Sequence, residues 1–195
     1  GLGFVGKNSL VIGPKLSGSY NFIAELFVDF ELEADVEYTG TCGNCVRCIS
    51  ACPTNAIKSG AEAEMVDANL CISYLTIENK GGIALPLRRQ LGDWVYGCDI
   101  CHEVCPYNTK ARPAPWPEFA PESGVGHYLN LPELLHIDDQ SFAQRFELSP
   151  LRRPKRRGLV RNALVVMGNQ LTAGHQASKQ ILEEIAAFSL RENDL

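Results

Sequence analysis

No apolar run in this chain approaches the roughly 20 residues that a membrane-spanning helix needs, which argues against a helical span. Histidine is scarce and scattered, at His102, His127, His136 and His175, so none of the four reads as a metal ligand. A Walker loop is missing: the phrase Gly3-Phe4-Val5-Gly6-Lys7-Asn8 lacks the Gly-x4-Gly-Lys-Ser/Thr spacing that cradles nucleotide phosphates. Lys7 and Asn8 are instead expected to fix a turn or to touch preceding protein. There is no initiator Met either, and a chain that opens on Gly1-Leu2-Gly3-Phe4 is expected to have an upstream part. A base can stack on an exposed aromatic ring. Trp94, Trp116 and Tyr107 are candidates, but ordinary packing is the stronger expectation for each.

Cysteine, by contrast, is concentrated. Seven of the eight fall into two runs, each closed by Cys-Pro: Cys42-x2-Cys45-x2-Cys48-x3-Cys52-Pro53 and Cys98-x2-Cys101-x3-Cys105-Pro106. The first has the spacing of the bacterial ferredoxin run that wraps a [4Fe–4S] cubane, in which the Cys before Pro serves the other cluster. The second lacks its first ligand, because position 95 is Val95; the remaining cysteine, Cys71, fills the gap. Eight thiolates then serve two clusters: Cys42, Cys45, Cys48 and Cys105 on one, and Cys52, Cys71, Cys98 and Cys101 on the other. Zinc is the weaker reading, since its knuckles usually stand about 12–20 residues apart. Disulfides would need an oxidising compartment.

The 195 residues allow one domain or two small ones, and 45% apolar content is ordinary for a globular chain. The net charge of −5 hides an asymmetry. Arg152, Arg153, Lys155, Arg156, Arg157 and Arg161 sit in a ten-residue run without one acid, which leaves about −11 on the rest of the chain. A single basic stripe on an acidic body points to a specific polyanion contact, against the alternative of a solvated helix face.

Residues 1–40 read as β-rich, with a short run at Ser9–Ile12 and a strand over Tyr20–Phe30. After the first cysteine loop come a strand-like Ala56-Ile57-Lys58 and a polar turn over 59–66. Leu85–Val95 reads as a helix opened by Pro86. Pro113, Pro115, Pro117 and Pro121 mark an extended crossover and a domain boundary. Beyond it the pattern is helical: Leu131–Leu135, Ser141–Phe146, Arg157–Asn169 and Gln176–Phe188, the last two joined at Thr172–Gly174 like one unit of an α-solenoid.

Three stretches together resemble the epoxyqueuosine reductases. They are Gly1–Asn8; Arg47–Thr54 followed by Cys71-Ile72-Ser73-Tyr74-Leu75-Thr76-Ile77-Glu78; and Tyr96-Gly97-Cys98-Asp99-Ile100-Cys101 closing with Val104-Cys105-Pro106-Tyr107-Asn108. The likeness continues more loosely in Arg161-Asn162-Ala163 and Gly168-Asn169. It implies an α+β fold: part of a cobalamin-binding α/β domain over 1–40, a ferredoxin-like module with two [4Fe–4S] clusters over 41–112, and a linker with a HEAT-like helical domain over 113–195. It also implies a cytoplasmic, cobalamin-dependent oxidoreductase that converts epoxyqueuosine to queuosine at the wobble position of tRNA, fed by a low-potential electron donor. Cofactor contacts are expected at Ser73, Lys80 and Asp99, and RNA contacts along the basic stripe. Ser73 reads equally as a turn hydroxyl, Lys80 as a solvated loop charge, and Asp99 as a loop cap. The family's proton donor lies upstream of the Gly1–Asn8 phrase, so no catalytic residue is named and this stretch alone is expected to lack full activity. Three other readings stay open: a ferredoxin-like electron-transfer module, a dehalogenase-like corrinoid reductase, and a nucleic-acid-binding protein with structural clusters.

Overall fold

The structure is a computed structural model that describes residues 1–60, 64–172 and 178–191. The expected loop at Thr172–Gly174, His175 and the start of the last helical stripe lie partly or wholly outside those residues. Packing divides the chain into two compact units that interleave in sequence: residues 1–67 with 99–113, and residues 68–98 with 114–195. The sequence suggests divisions near 40 and 112. Residues 68–98 group with the C-terminal helices because their apolar residues pack there.

In the first unit, β1 (Phe4–Val5) and β2 (Val11–Ile12) form a minimal antiparallel hairpin. The expected strand over Tyr20–Phe30 is instead irregular and largely exposed, with Phe22 and Phe27 about nine-tenths accessible. A strand needs a neighbour for its backbone donors and acceptors, and none is present among the described residues. Helix α1 (Arg47–Ala51) follows the first two cysteines and carries the third. Strands β3 (Ile57–Ser59) and β4 (Glu64–Val66) pair as a hairpin, so the stretch expected to be a polar turn contains a strand. The Asp67 N–H donates to the Ala56 carbonyl (2.8 Å) and Lys58 pairs with Asp67 (2.7 Å), closing the hairpin base.

The second unit is helical. It contains α2 (Ile72–Ile77) and α3 (Leu85–Gln90), the latter opened by Pro86 as expected and shorter than the sequence suggests. Helix α4 (Ile100–Glu103) belongs to the first unit. Then come α5 (Leu131–His136), α6 (Asp139–Arg145), α7 (Lys155–Thr172) and α8 (Ser178–Arg191). Asn130 and Asp138 cap α5 and α6 by accepting the Glu133 and Ser141 N–H groups, the usual service of such residues at an N-cap. One apolar cluster joins α5 to α8 around Leu134, Leu135, Phe142, Phe146, Leu159 and Met167. A smaller one joins Ile72, Leu75, Ile83 and Leu91 to Val165 of α7. Among the described residues no helix is long and apolar enough to cross a membrane.

Candidate iron–sulfur centres

In the first unit the cysteines are positioned by turns. Gly43 takes φ +49°, which favours glycine, and the chain doubles back so that the Cys45 N–H donates to the Cys42 carbonyl (3.1 Å). Cys48 sits on α1 and Cys52 ends it. Cys52 (φ −67°, ψ 113°) and Cys105 (φ −72°, ψ 123°) are both extended, as a residue before proline is biased to be. Each Cys-Pro step is therefore a helix stop that turns the thiol out of the helical path.

Cys42, Cys45, Cys48 and Cys105 line one narrow pocket with Asn8, Ile12 and Tyr107. Burial pushes the Cys48 thiol up; the Ile49 N–H opposes that, and the nearby Cys42 and Cys45 add to it. Thiolates crowded in this way repel one another, and iron offsets that repulsion, because a coordinated thiol gives up its proton outright. The donor set thus fits an iron–sulfur cluster. Among the described residues no three His, Cys, Asp or Glu side chains stand close enough to share a single metal ion. A cubane asks for something wider, one thiolate on each of four irons.

Cys52 has a different environment. Burial raises its thiol, but hydrogen bonds outweigh that and the net direction is downward. The Ala56 N–H donates to Cys52 Sγ at 3.3 Å, and the buried Thr54 hydroxyl lies 3.7 Å away.

A polar network that sequence reasoning missed braces the second run. Asn108 accepts the Ser19 N–H (2.7 Å) and donates to Ser19 Oγ (2.8 Å) and the His102 carbonyl (2.7 Å). Ser19 Oγ is hydrogen-bonded to His102 Nδ1 at 2.9 Å, and Asn8 donates to the Cys101 carbonyl at 3.3 Å. Asn8 thus holds a cysteine loop, and its Oδ1 accepts the Leu10 N–H (3.4 Å) across the turn it is expected to fix. Tyr20 stacks on His102 at 4.4 Å; partial burial, then the charges of Asp99 and Glu103, push its hydroxyl up to about 12. Asn8 and Asn108 both lie in the family-like phrases, which was the available signal. His102, read as scattered, had none. Tyr107 spends its hydroxyl on the Thr41 carbonyl (2.9 Å).

In the second unit, Cys71 occupies the N-cap position of α2, and Cys98 packs against the apolar cluster that includes Ile72, the residue after Cys71. Gly97 (φ +67°) turns the chain before Cys98, and its N–H donates to Thr76 Oγ1 of α2 (2.9 Å). Asn162 of α7 is fully buried and donates to the Thr76 and Val95 carbonyls (2.7 and 2.8 Å). Its own oxygen accepts from Arg161 Nε and Nη2 (3.1 and 2.9 Å). The Arg161-Asn162 phrase therefore pins the helix after Cys71 and the loop before Cys98 to α7. Asn169 acts similarly on the end of α3, donating to the Arg88 and Gly92 carbonyls (2.8 and 2.9 Å). Trp94 packs in the smaller apolar cluster, and Trp116 stacks on Phe119 at 5.6 Å.

The other expected contacts lie on separate elements. Ser73 is half-buried on α2, Lys80 is exposed in the loop after it, and Asp99 is exposed at the start of α4. The Asp99 carboxylate makes no capping hydrogen bond. None of these placements shapes a corrin site by itself, and the cobalamin contact rests on the resemblance.

The basic stripe is not a row of free cations. Arg152 donates to the Glu147 carbonyl (3.2 Å), Arg153 pairs with Glu78, and Arg156 donates to the Ile137 carbonyl (2.6 Å). Arg161 donates to the Leu75, Asn79 and Gly81 carbonyls. Only Lys155 and Arg157 of the six lack a hydrogen bond or ion pair among the described residues. The acid that balances part of the run, Glu78, is far away in sequence.

Residues 41–108 match the family of 4Fe-4S double cluster binding domains. An epoxyqueuosine reductase of Leadbetterella byssophila is 43% identical over 166 residues, which are 85% of this chain and 52% of that protein. The chain spans about half the length of the curated relatives it matches. The epoxyqueuosine reductase of Bacillus subtilis superposes with a TM-score of 0.84 at 29% identity, over 100% of this chain and 49% of that one. A further epoxyqueuosine reductase, solved with an epoxyqueuosine-modified tRNA-Tyr stem loop, superposes with a TM-score of 0.67 at 27% identity, over 100% of this chain and 57% of that one. Over the half of those proteins that it spans, the chain belongs to the epoxyqueuosine reductase family.

Proposed function

We propose that this chain is the electron-delivering and RNA-facing half of an enzyme that reduces epoxyqueuosine to queuosine in tRNA in the cytoplasm. The observation that carries the reading is the set of four thiols, Cys42, Cys45, Cys48 and Cys105, around one pocket inside the stretch that matches a double-cluster domain. They would hold one [4Fe–4S] cluster; Cys52, Cys71, Cys98 and Cys101 would hold the other. The overall change takes two electrons and two protons and releases the epoxide oxygen as water, leaving a carbon–carbon double bond. No side chain among the twenty supplies such reducing power. Cobalamin, when bound, would supply the reductive step, with Ser73 and Asp99 as the contacts that the resemblance implies. The chain's own cysteines would hold the clusters that relay single electrons from a low-potential donor. The N–H and hydroxyl groups around Cys52 tune one cluster, since hydrogen bonds to sulfur help set the potential. Helices α5 to α8 would form a HEAT-like platform that meets the tRNA.

Anaerobic purification should give a brown protein with eight irons per chain if both clusters form. The function is tested by mass spectrometry of tRNA nucleosides from cells with and without the gene. Epoxyqueuosine should accumulate without it and fall again when it is restored. Unchanged epoxyqueuosine in a corrinoid-binding protein would instead favour a dehalogenase-like reductase, and the absence of corrinoid binding would favour an electron-transfer module.

A further inference from the structure

A cavity of about 430 Å³ opens within the helical unit, between the loop joining α2 to α3 and the first turns of α7. That volume lies within the ~300–1,000 Å³ typical of small-ligand sites. Its wall carries Lys80, Arg88, Lys155, Arg157 and Arg161, and no carboxylate. Such crowding is unfavourable in an empty site. Burial, then the adjacent Arg157 charge, hold the Arg161 guanidinium below its ordinary value. The loop is built to keep this arrangement. Asn79 donates to the Gly81 and Gly82 carbonyls (both 3.3 Å) and accepts the Gly81 N–H (3.1 Å). Arg161 takes up the Asn79 and Gly81 carbonyls from the α7 side (2.8 and 2.5 Å). The carbonyls that would repel an anion are thereby committed, while Lys80, Lys155 and Arg157 keep their donors unspent among the described residues. Arg88 is tethered through Nε to the Ile83 carbonyl (2.8 Å).

We propose that this cavity binds a backbone phosphate of the RNA substrate, with Lys80, Lys155 and Arg157 as the direct contacts and Arg161 as the residue that positions the loop. The inference rests on the RNA reading above and sharpens it. It moves Lys80 from the corrin to the RNA, and it reduces the basic stripe from six contacts to two.

The test uses the full chain with its clusters intact and an RNA hairpin of anticodon-stem-loop size, with binding read by fluorescence anisotropy across a salt series. Lys80→Ala with Arg157→Ala should weaken binding about tenfold or more at low salt. It should also flatten the plot of log affinity against log salt by roughly 0.7–0.9 for each phosphate that is no longer neutralised. The charge-matched control, Arg89→Ala with Lys179→Ala, lies outside the cavity and should leave both quantities near wild type. Absorbance near 400 nm should be the same in all three proteins. If the double variant folds poorly, Lys80→Glu alone, on an exposed loop, should show the same direction. Equal weakening by the two double variants, or by neither, overturns the cavity while leaving the RNA reading intact. A wild-type protein that binds no hairpin overturns both. Loss of inorganic phosphate binding by calorimetry, with RNA affinity unchanged, would make the site one for a free phosphate compound and overturn the RNA assignment.

Discussion

The two units of this chain are stabilised by different means. The helical unit buries a dozen residues in its main cluster, with Phe146, Leu134, Leu159 and Ala163 wholly inaccessible. The cysteine-bearing unit, of roughly 80 residues, buries as apolar side chains only Ile12, Ala56, Ile57 and Cys105 among its described residues. Its order comes from turns, Cys-Pro stops and polar braces such as Ser19–His102–Asn108. At about 25 cal/mol per Å² of apolar area, that core is small against the chain entropy of roughly 80 residues. Small domains in this position rely on disulfides or metals. The comparison teaches that a cluster held by Cys42, Cys45, Cys48 and Cys105 is part of the first unit's folding energy as well as its chemistry, whereas the second unit stands on apolar packing.

The largest expected effect breaks the comparison most directly. Oxidative removal of iron should collapse protection across 1–60 and 99–113 in hydrogen exchange, while peptides from α7 remain protected. Uniform loss in both units, or none in either, would show that they do not differ in this way. Next comes Phe146→Ala, which empties a fully buried site in the helical core. It should cost about 3–5 kcal/mol of that unit's stability in denaturant unfolding, with iron content and the absorbance near 400 nm unchanged.

Asn162→Ala should have an intermediate effect and reach both properties. It strips donors from the Thr76 and Val95 carbonyls, which a buried environment penalises by about 1–3 kcal/mol. Because those carbonyls flank the segments bearing Cys71 and Cys98, iron occupancy should drop along with the melting temperature; a purely apolar role for α7 would lower only the latter. The smallest effect belongs to Thr54→Val. It removes the hydroxyl beside Cys52 Sγ with little change in volume. Converting a hydrogen bond of about 0.5–1.5 kcal/mol at about 59 mV per tenfold, one cluster's potential should fall by roughly 20–60 mV in a redox titration. An unshifted potential would take the Thr54 hydroxyl out of the tuning of that cluster.

What the sequence determined by itself was local. Cys-Pro imposes an extended stop within two residues, so both cluster loops were legible in their spacing. The apolar stripe Leu159, Val160, Ala163, Leu164 and Met167 has a period set by the helix, and all but the half-buried Leu164 are buried. Asp138 caps α6 from one residue away. Where the reading departed from the structure, the deciding partner was distant. Tyr20–Phe30 has the composition of a strand, but strand formation depends on a neighbour that composition does not name. Residues 68–98 look continuous with the cysteine loops, yet Ile72, Leu75 and Leu91 find their apolar partners on α7. The six cations of the basic stripe look equivalent as a string of letters. Tertiary structure separated them, because a guanidinium beside an orphan carbonyl or the Glu78 carboxylate is consumed at once, and only one facing an uncommitted cavity keeps its charge for a ligand.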